Sequence, residues 1–209
     1  MKNSIFIIIV AVLFCYSTSI VFAQEQCSYL NGRCESLPAF TMHTLNFQVP
    51  GQPPGCEATV FYGSREAVCQ NKRVYQILIY GYGLVSPPCD PLLPWNALYD
   101  PSIIAILTTN QMGFPLPEGD GDCIEGIEVV GMACWKTCTP PDPECDFLTH
   151  LSTTPHSSYY VSCTVEACCY RPYKICWDGF DDFNNPIMII TEEEYTPVDC
   201  LPGCSPMCQ

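Results

Sequence analysis

The cysteines of this chain constrain its fold more than any other feature. The chain has 209 residues and 17 cysteines, and sixteen of these cysteines follow residue 23. Thiols pair as disulfides in an oxidising compartment but stay reduced in the cytosol. An even number permits up to eight disulfides with no thiol left over, although the spacing does not reveal which cysteines pair. The sixteen predicted half-cystines are Cys27, Cys34, Cys56, Cys69, Cys89, Cys123, Cys134, Cys138, Cys145, Cys163, Cys168, Cys169, Cys176, Cys200, Cys204 and Cys208.

The first 23 residues predict a secretory signal peptide that is cleaved after Ala23. Lys2 precedes a long apolar run, and the small residue Ala23 follows it, as cleavable export signals require. The alternative is a retained anchor helix over residues 4–23, which nearly reaches the length of a bilayer span. The polar residues at 16–19 and the lack of a basic stop favour cleavage. We therefore expect no membrane span after cleavage, and a location that is secreted or at the cell surface, on its extracellular, periplasmic or outer-membrane face.

The charge balance narrows the classes of partner. The sequence has 22 acidic and 8 basic residues, which gives a formal net charge of −14. Such a surface repels phosphate backbones and anionic lipid headgroups. We expect no nucleic-acid partner, and we expect an extracellular protein or a glycan instead, with cations and basic proteins favoured over anions. A purely solubilising role for the charge is the alternative.

The hydrophobic pattern predicts a mainly β fold of the α+β kind with one central helix. Alternating or apolar segments predict strands at residues 41–49, 57–62, 74–80, 124–133, 159–164, 170–177 and 186–191. Pro172 restricts its strand to a sheet edge or a bulge. Pro101 suits a first helical turn, and Gly113 followed by Pro115 suits a helix end, so the helix is predicted at about residues 102–112.

A segment rich in proline and glycine at residues 113–122 predicts a boundary between two small β lobes. The N-terminal β lobe covers residues 24–117 and ends in the helix, and the cysteine-dense C-terminal β lobe covers residues 118–209. Small units have thin cores, which disulfides can stabilise. Five cysteines precede this boundary and eleven follow it, so full pairing needs at least one disulfide that stitches the lobes together. Cys123 is the predicted candidate.

Two acidic loops are candidate calcium sites, because carboxylates in a flexible loop can surround a hard cation with oxygen ligands. Neither loop has the spacing of an EF-hand, and solvated turns are the alternative. No other cofactor is expected. The candidate ligands are Glu118, Asp120, Asp122 and Glu125 in the first loop and Asp178, Asp181 and Asp182 in the second.

Aromatic residues are concentrated in the predicted strands of the C-terminal lobe. Exposed rings on a sheet can stack on sugar faces, whereas buried rings only fill the core. The candidate sugar-binding face consists of Tyr159, Tyr170, Tyr173 and Trp177.

Cysteines and histidines near the middle of the C-terminal lobe could form a zinc site, but in a secreted chain disulfides are the favoured interpretation. The residues concerned are Cys134, Cys138, Cys145, His150 and His156. His43 lies in a strand pattern and is expected to be structural, whereas His150 and His156 flank a polar loop and are expected to be exposed. No nucleophile elbow or phosphate-binding loop occurs, so we predict no enzyme and no catalytic residue.

Three short motifs lie in the middle and C-terminal parts of the chain. The first motif runs from residue 102 to Pro115 and includes Gly113-Phe114-Pro115, and the second is 131–136, around Cys134-Trp135-Lys136. The third is 167–171, around the Cys168-Cys169 pair, with Cys176 after it. In these motifs the chain resembles uncharacterised secreted cysteine-rich proteins of Bacteroidota-type bacteria, and the similarity spans roughly residues 56 to 180. It implies bacterial export, and the group has no established activity that could be transferred.

These features predict a secreted, disulfide-stabilised protein with a structural or adhesive role. The first alternative is an extracellular carbohydrate-binding module, either calcium-assisted or with an aromatic face. The second alternative is a secreted hydrolase that uses a carboxylate pair, although no pair in the sequence stands out from the 22 acidic residues.

Overall fold

The computed structural model is mainly β, with ten strands in one branched sheet, and this confirms the predicted fold class. It describes residues 34–84, 89–90, 93–94, 96–119, 121–132, 134–151, 156, 158–162, 168–180, 186–192 and 205–206. The strands are β1 Cys34–Ser36, β2 Thr41–Gln48, β3 Glu57–Cys69, β4 Lys72–Leu84, β5 Cys123–Met132, β6 Cys134–Cys138, β7 Ser158–Ser162, β8 Cys168–Phe180, β9 Pro186–Glu192 and β10 Ser205–Pro206. The helices are α1 Asn96–Thr109, α2 Asp146–Leu151 and a 3₁₀ turn at Pro143–Cys145.

The β3–β4 hairpin forms the centre of the sheet. Gln70 and Asn71 connect its strands with φ angles of 53° and 60°, the left-handed pair that a two-residue type I′ turn requires. Strands β1 and β2 pair with the outer side of β3. On its other side β4 pairs first with β5, in parallel, and then with β7, antiparallel.

A β-bulge lies where the sheet branches. Phe61 pairs with Gly81 and Tyr62 pairs with Ile79, so Tyr80 is an extra residue in β4. Strand β4 leaves β5 at Ile79 and joins β7 at Gly81, on either side of this residue. Side chains of a strand alternate between the two faces of the sheet, and one extra residue shifts this alternation by one position. Ile77 and Ile79 before the bulge therefore lie on the same face as Tyr82 and Leu84 after it.

Each face of the branched sheet is covered by one helix. Helix α1 packs on the larger face, where Ile77, Ile79 and Tyr82 of β4 are fully buried. The side chains of α1 in this core are Leu98, Tyr99, Ile103, Ile106 and Leu107. Helix α2, which was not predicted, buries Leu148 against Phe61 on the opposite face.

Helix α1 begins six residues before the predicted start and ends three residues before the predicted end. Pro101 lies inside the helix instead of in its first turn. Leu98 and Tyr99, which precede it, are buried in the core, and this burial offsets the hydrogen bond that proline cannot donate. At the C-terminal end Asn110 has a φ of 45°, and its side-chain amide both donates to and accepts from the backbone of Phe114. Asn110 therefore ends the helix before Gly113 can.

All seven predicted strands are present, and β3 and β4 are each longer than predicted. Strand β4 continues to Leu84 because Gly81 and Gly83 allow close packing rather than ending the strand. A Cβ atom on Gly83 would lie 2.6 Å from the ring of His156. Pro172 in β8 pairs with Glu128 on one side, and pairing with β9 begins only at Tyr173. Among the described strands Pro172 therefore lies at a local edge, as its missing N–H requires.

Four disulfides join eight of the sixteen predicted half-cystines: Cys34–Cys69, Cys56–Cys89, Cys123–Cys176 and Cys138–Cys145. The prediction that Cys123 bridges the two lobes is wrong, because the β5–β8 register places it directly opposite Cys176. Cys27 is then the one N-terminal cysteine left for such a bridge. It lies outside the described residues, as do Cys163, Cys200, Cys204 and Cys208, while the strand positions of Cys134, Cys168 and Cys169 are described without their side chains.

The four disulfides favour an oxidising environment, extracellular or periplasmic. The predicted signal peptide at residues 1–23 lies outside the described residues. None of the described helices is long and apolar enough to cross a membrane. The lobe boundary at residues 117 and 118 stays a prediction, and the β4–β5 pairing joins strands from both sides of it in one sheet.

Candidate functional site

The predicted aromatic face is wrong for two of its four members. Tyr159 is 2% exposed and packs near Phe61, and Tyr173 is 6% exposed in the α1 core. Their strands direct both rings inward, a choice that local composition does not reveal. The side chain of Tyr170 lies outside the described part of the chain.

One partly exposed ring pair remains on the β8–β9 hairpin. Trp177 is half-buried, and its ring lies 5.3 Å from that of Phe180 in an edge-to-face contact. Phe180 is 55% exposed. The indole N–H donates to the carbonyl of Gly179, which fixes the orientation of the Trp177 ring. The sequence pattern missed Phe180 because it lies beyond the predicted end of its strand.

The described parts of the two predicted calcium loops lie side by side, which the sequence did not indicate. Gly121 donates to the carbonyl of Trp177, and Trp177 donates to the carbonyl of Asp122. The Cys123–Cys176 disulfide joins the same two segments. Residues 121–125 and 176–178 therefore belong to one end of the sheet.

The calcium hypothesis stays a prediction. Glu118, Asp122 and Asp178 are exposed, and Glu125 pairs with Lys174 at 3.2 Å. Within the described ranges, no three acidic, histidine or cysteine side chains form a group that could hold a metal. The remaining candidates, Asp120, Asp181 and Asp182, lie outside those ranges.

The zinc alternative fails at its cysteines, because Cys138 and Cys145 are bonded to each other. His150 is exposed as predicted. The prediction of an exposed His156 is wrong, since this side chain is 7% exposed.

His156 belongs to a buried chain of hydrogen bonds. Thr59 donates its single hydroxyl proton to Asn46 at 2.7 Å, so it accepts from Nε2 of His156, also at 2.7 Å. With a proton on Nε2, a neutral ring accepts at Nδ1 from the Tyr159 hydroxyl, 3.3 Å away. This network ties the segment before β7 to β3, so we assign His156 a structural role.

His43 and Ser64 are arranged like the base and the nucleophile of a catalytic pair. Nε2 of His43 lies 2.8 Å from the Ser64 hydroxyl, and burial lowers the pKa of this histidine. Ser64 lines a cavity of about 190 Å³. Catalysis also needs a group that orients the second ring nitrogen, and no described residue is seen to hydrogen-bond it. The His43 ring also stacks on Tyr62 at 5.0 Å.

A buried polar row crosses three strands on the α2 side of the sheet. Nε of Arg65 donates to Gln76 at 2.7 Å, and Gln76 donates to Glu128 at 2.9 Å. All three residues are less than 9% exposed. Arg65 also lies over the Phe40 ring at 4.2 Å. The charge of Arg65 therefore interacts with groups inside the protein. We interpret the row as a support of the sheet and not as a ligand site.

A further candidate site is a small cavity between α1 and the β8–β9 hairpin, which we call the α1 cavity. Its volume is about 160 Å³. Its lining combines two carboxylates, one hydroxyl and three isoleucines. The residues are Asp100, Ile103, Ile104, Tyr173, Ile190 and Glu192. The register of β8 and β9 places Tyr173 directly opposite Glu192.

Charges around the α1 cavity are coupled. Arg171, 8% exposed, approaches both oxygens of Glu192 with one guanidinium nitrogen, at 3.3 and 3.4 Å. Burial raises the pKa of Glu192; Arg171 opposes this shift and the Asp100 carboxylate adds to it. Burial also raises the pKa of Tyr173 to about 12.

Sequence reasoning missed this cavity. Asp100 lies just before the helix predicted at residues 102–112, and Glu192 lies one residue beyond a predicted strand. The three polar lining residues come from segments that are distant along the chain, so no local motif could have identified them.

No protein-family model, no curated protein and no solved structure matches this chain. The resemblance to secreted bacterial proteins stays a prediction.

Proposed function

We propose that this protein is secreted and acts as a disulfide-stabilised structural or adhesive protein that binds a basic extracellular protein. The observation that carries the proposal is the α1 cavity, where two carboxylates face solvent within an apolar lining. The net charge of −14 supports it, since an acidic surface attracts basic partners from a distance. The four disulfides support it as well, because a cross-linked sheet holds a binding surface in place.

A binding role accords with the dimensions of the cavity better than a hydrolase does. Sites for small-molecule substrates usually occupy about 300–1,000 Å³, and the α1 cavity is about 160 Å³. Asp100 and Glu192 could be the carboxylate pair of a hydrolase, but a sugar ring with both its neighbours would need a larger cleft.

The binding role predicts salt-sensitive attachment to a basic surface that depends on the cavity carboxylates. We expect the wild-type protein to bind immobilised poly-L-lysine in surface plasmon resonance, more weakly as salt rises. The double variant Asp100→Asn/Glu192→Gln should bind about tenfold more weakly or worse, because it removes both carboxylates of the cavity.

The matched control is Glu57→Gln/Glu118→Gln, which removes the same charge from exposed positions that do not line the cavity. This control should retain nearly all binding. If both double variants lost poly-L-lysine binding equally, the attraction would depend on net charge alone. That result would contradict the proposal. Cell fractionation tests the structural role, since an adhesive protein should remain in the envelope or in assemblies.

The Trp177–Phe180 pair favours carbohydrate binding as a second candidate function. An exposed ring such as Phe180 can contact the apolar face of a sugar. Glycan-array binding by the wild-type protein should be abolished by both Trp177→Ala and Phe180→Ala, and Tyr75→Ala serves as an aromatic control outside the hairpin. Binding that survives both hairpin substitutions would exclude these rings as the sugar-binding surface.

A further inference from the structure

We infer that the outer edge of β9 binds an extended segment of the partner protein as an additional β-strand, in which apolar and basic side chains alternate. This inference depends on the proposed function for the basic character of the partner. It adds where on the molecule the partner binds and in which conformation. Three observations lead to it: the position of β9 in the sheet, the apolar side chains that it exposes and the acidic residues around it.

Strand β9 ends the sheet on its side. It pairs with β8, and none of the other described strands pairs with it. The backbone N–H and C=O groups of a strand point alternately to its two sides, so about half of those in β9 face away from β8. An edge of this kind can accept a further strand from another chain, with main-chain hydrogen bonds supplying the affinity.

The other terminal strands of the described sheet are protected against such pairing. Strand β10 has only two residues, and one of them is Pro206. Strand β1 has three residues. Polar side chains and proline, like short strands, prevent edge-to-edge pairing. Strand β9 has seven residues, and its single proline is the first of them. The side chains that β2 exposes are all polar: Thr41, Thr44, Asn46 and Gln48.

Exposed apolar side chains are concentrated around β9. Five large ones are exposed in the described part of the chain, and three of them belong to the β8–β9 hairpin. Ile187 is 40% exposed and Ile189 is 42% exposed, on the face of β9 opposite to Met188 and Ile190, which pack on the α1 core. A fourth, Ile104, lines the α1 cavity beside Ile190. Such a concentration marks a binding surface, and it offers apolar cross-strand contacts to an added strand.

The charges around β9 favour a basic segment over a second copy of this chain. Strand β9 contains no basic residue and ends at Glu192, which Glu193 and Glu194 follow in the sequence. Both basic side chains of β8 are already paired with carboxylates, at 3.3 and 3.2 Å. A second copy would bring the same acidic residues and a net charge of −14 to the edge, and like charges repel. A segment with lysine or arginine at alternate positions is attracted instead.

The test uses an acetylated and amidated heptapeptide of alternating lysine and valine, added to the full mature protein with its disulfides intact. The readout is amide hydrogen exchange measured by NMR. We expect saturating peptide to slow the exchange of alternate amides within residues 187–191 at least about tenfold, and to leave the amides of β2 unchanged. The same peptide with a methylated backbone nitrogen at each of its five central residues cannot form a strand ladder, and it should protect no amide of β9.

The matched variants test the apolar contacts at constant charge. Ile187→Thr/Ile189→Thr keeps two β-branched side chains in the strand, and we expect it to bind the peptide about tenfold more weakly, because two cross-strand apolar contacts are lost. The control Val68→Thr changes an exposed apolar side chain, 39% exposed, in β3. It should bind the peptide as the wild-type protein does.

Equal peptide affinity for the double variant and Val68→Thr would overturn the inference, and so would protection of β9 by the methylated peptide. Protection of β9 amides that rises with protein concentration in the absence of peptide would overturn it as well, because the edge would then pair with a second copy. If poly-L-lysine binding depends on Asp100 and Glu192 while the peptide leaves β9 unprotected, the proposed function stands and strand addition does not. If the peptide protects β9 while poly-L-lysine binding ignores those carboxylates, strand addition stands and the role proposed for the α1 cavity does not.

Discussion

Alanine at Gly81 is expected to lower the free energy of unfolding by about 3 kcal/mol. A Cβ atom at this position would lie 2.5 Å from a methyl carbon of Leu148 and 2.7 Å from the backbone oxygen of Tyr160. The Tyr160 backbone belongs to the β4–β7 ladder, so the oxygen cannot move without disturbing the pairing. Chemical denaturation monitored by far-UV circular dichroism measures the loss.

The control for this substitution is Gly119→Ala. Its Cβ atom would meet only the flexible carboxylate of Asp122, at 3.3 Å, and we expect a change within about 0.5 kcal/mol. An unaltered denaturation midpoint for Gly81→Ala would mean that α2 and β7 do not pack as closely on β4 as the structure has them.

Removal of the Cys123–Cys176 disulfide should cost about 4 kcal/mol, because it closes a separation of 53 residues and releases the unfolded chain from that constraint. Cys123 is exposed and Cys176 half-buried, so the double variant Cys123→Ala/Cys176→Ala loses little packing. The decrease should therefore reflect the cross-link itself, and thermal unfolding of the oxidised proteins measures it.

The Glu125–Lys174 ion pair joins the same two strands without a covalent bond and provides the comparison. The variant Glu125→Ala/Lys174→Ala should lose less than about 1 kcal/mol, as expected for a solvent-exposed pair. A disulfide variant no less stable than the ion-pair variant would contradict the view that covalent cross-links stabilise this sheet.

Strand positions could be predicted from the sequence because the signal is local. Residues 74–80 are almost all β-branched, aromatic or otherwise apolar, and such a segment has few alternatives to a central strand. The disulfide-rich character was equally accessible, since it follows from cysteine number and compartment. Which cysteines pair was not accessible, and the assignment of Cys123 failed because strand register decides that question.

Several errors share one physical cause, which is contact between residues far apart in the chain. The strand predicted at residues 74–80 ended before Gly81 and Gly83, yet both glycines lie in β4, and each leaves room for a side chain from another element. The polar sequence around His156 predicted an exposed side chain, yet His156 is buried beside Thr59, 97 positions away in the sequence. Tyr173 was predicted to belong to an exposed aromatic face, yet its ring is buried in the core that contains α1.

Composition and local pattern by themselves determined the β class, the cross-linked character and the acidic surface, because each depends on residue type or on neighbours within a few positions. Tertiary structure alone decided where the sheet branches, which rings are buried and how Asp100, Tyr173 and Glu192 come to share one cavity. Asp100 belongs to α1, whereas Tyr173 and Glu192 belong to β8 and β9. Only the packing of these elements brings the three residues to one cavity, and the energy of that packing arises from the whole apolar face rather than from any short segment.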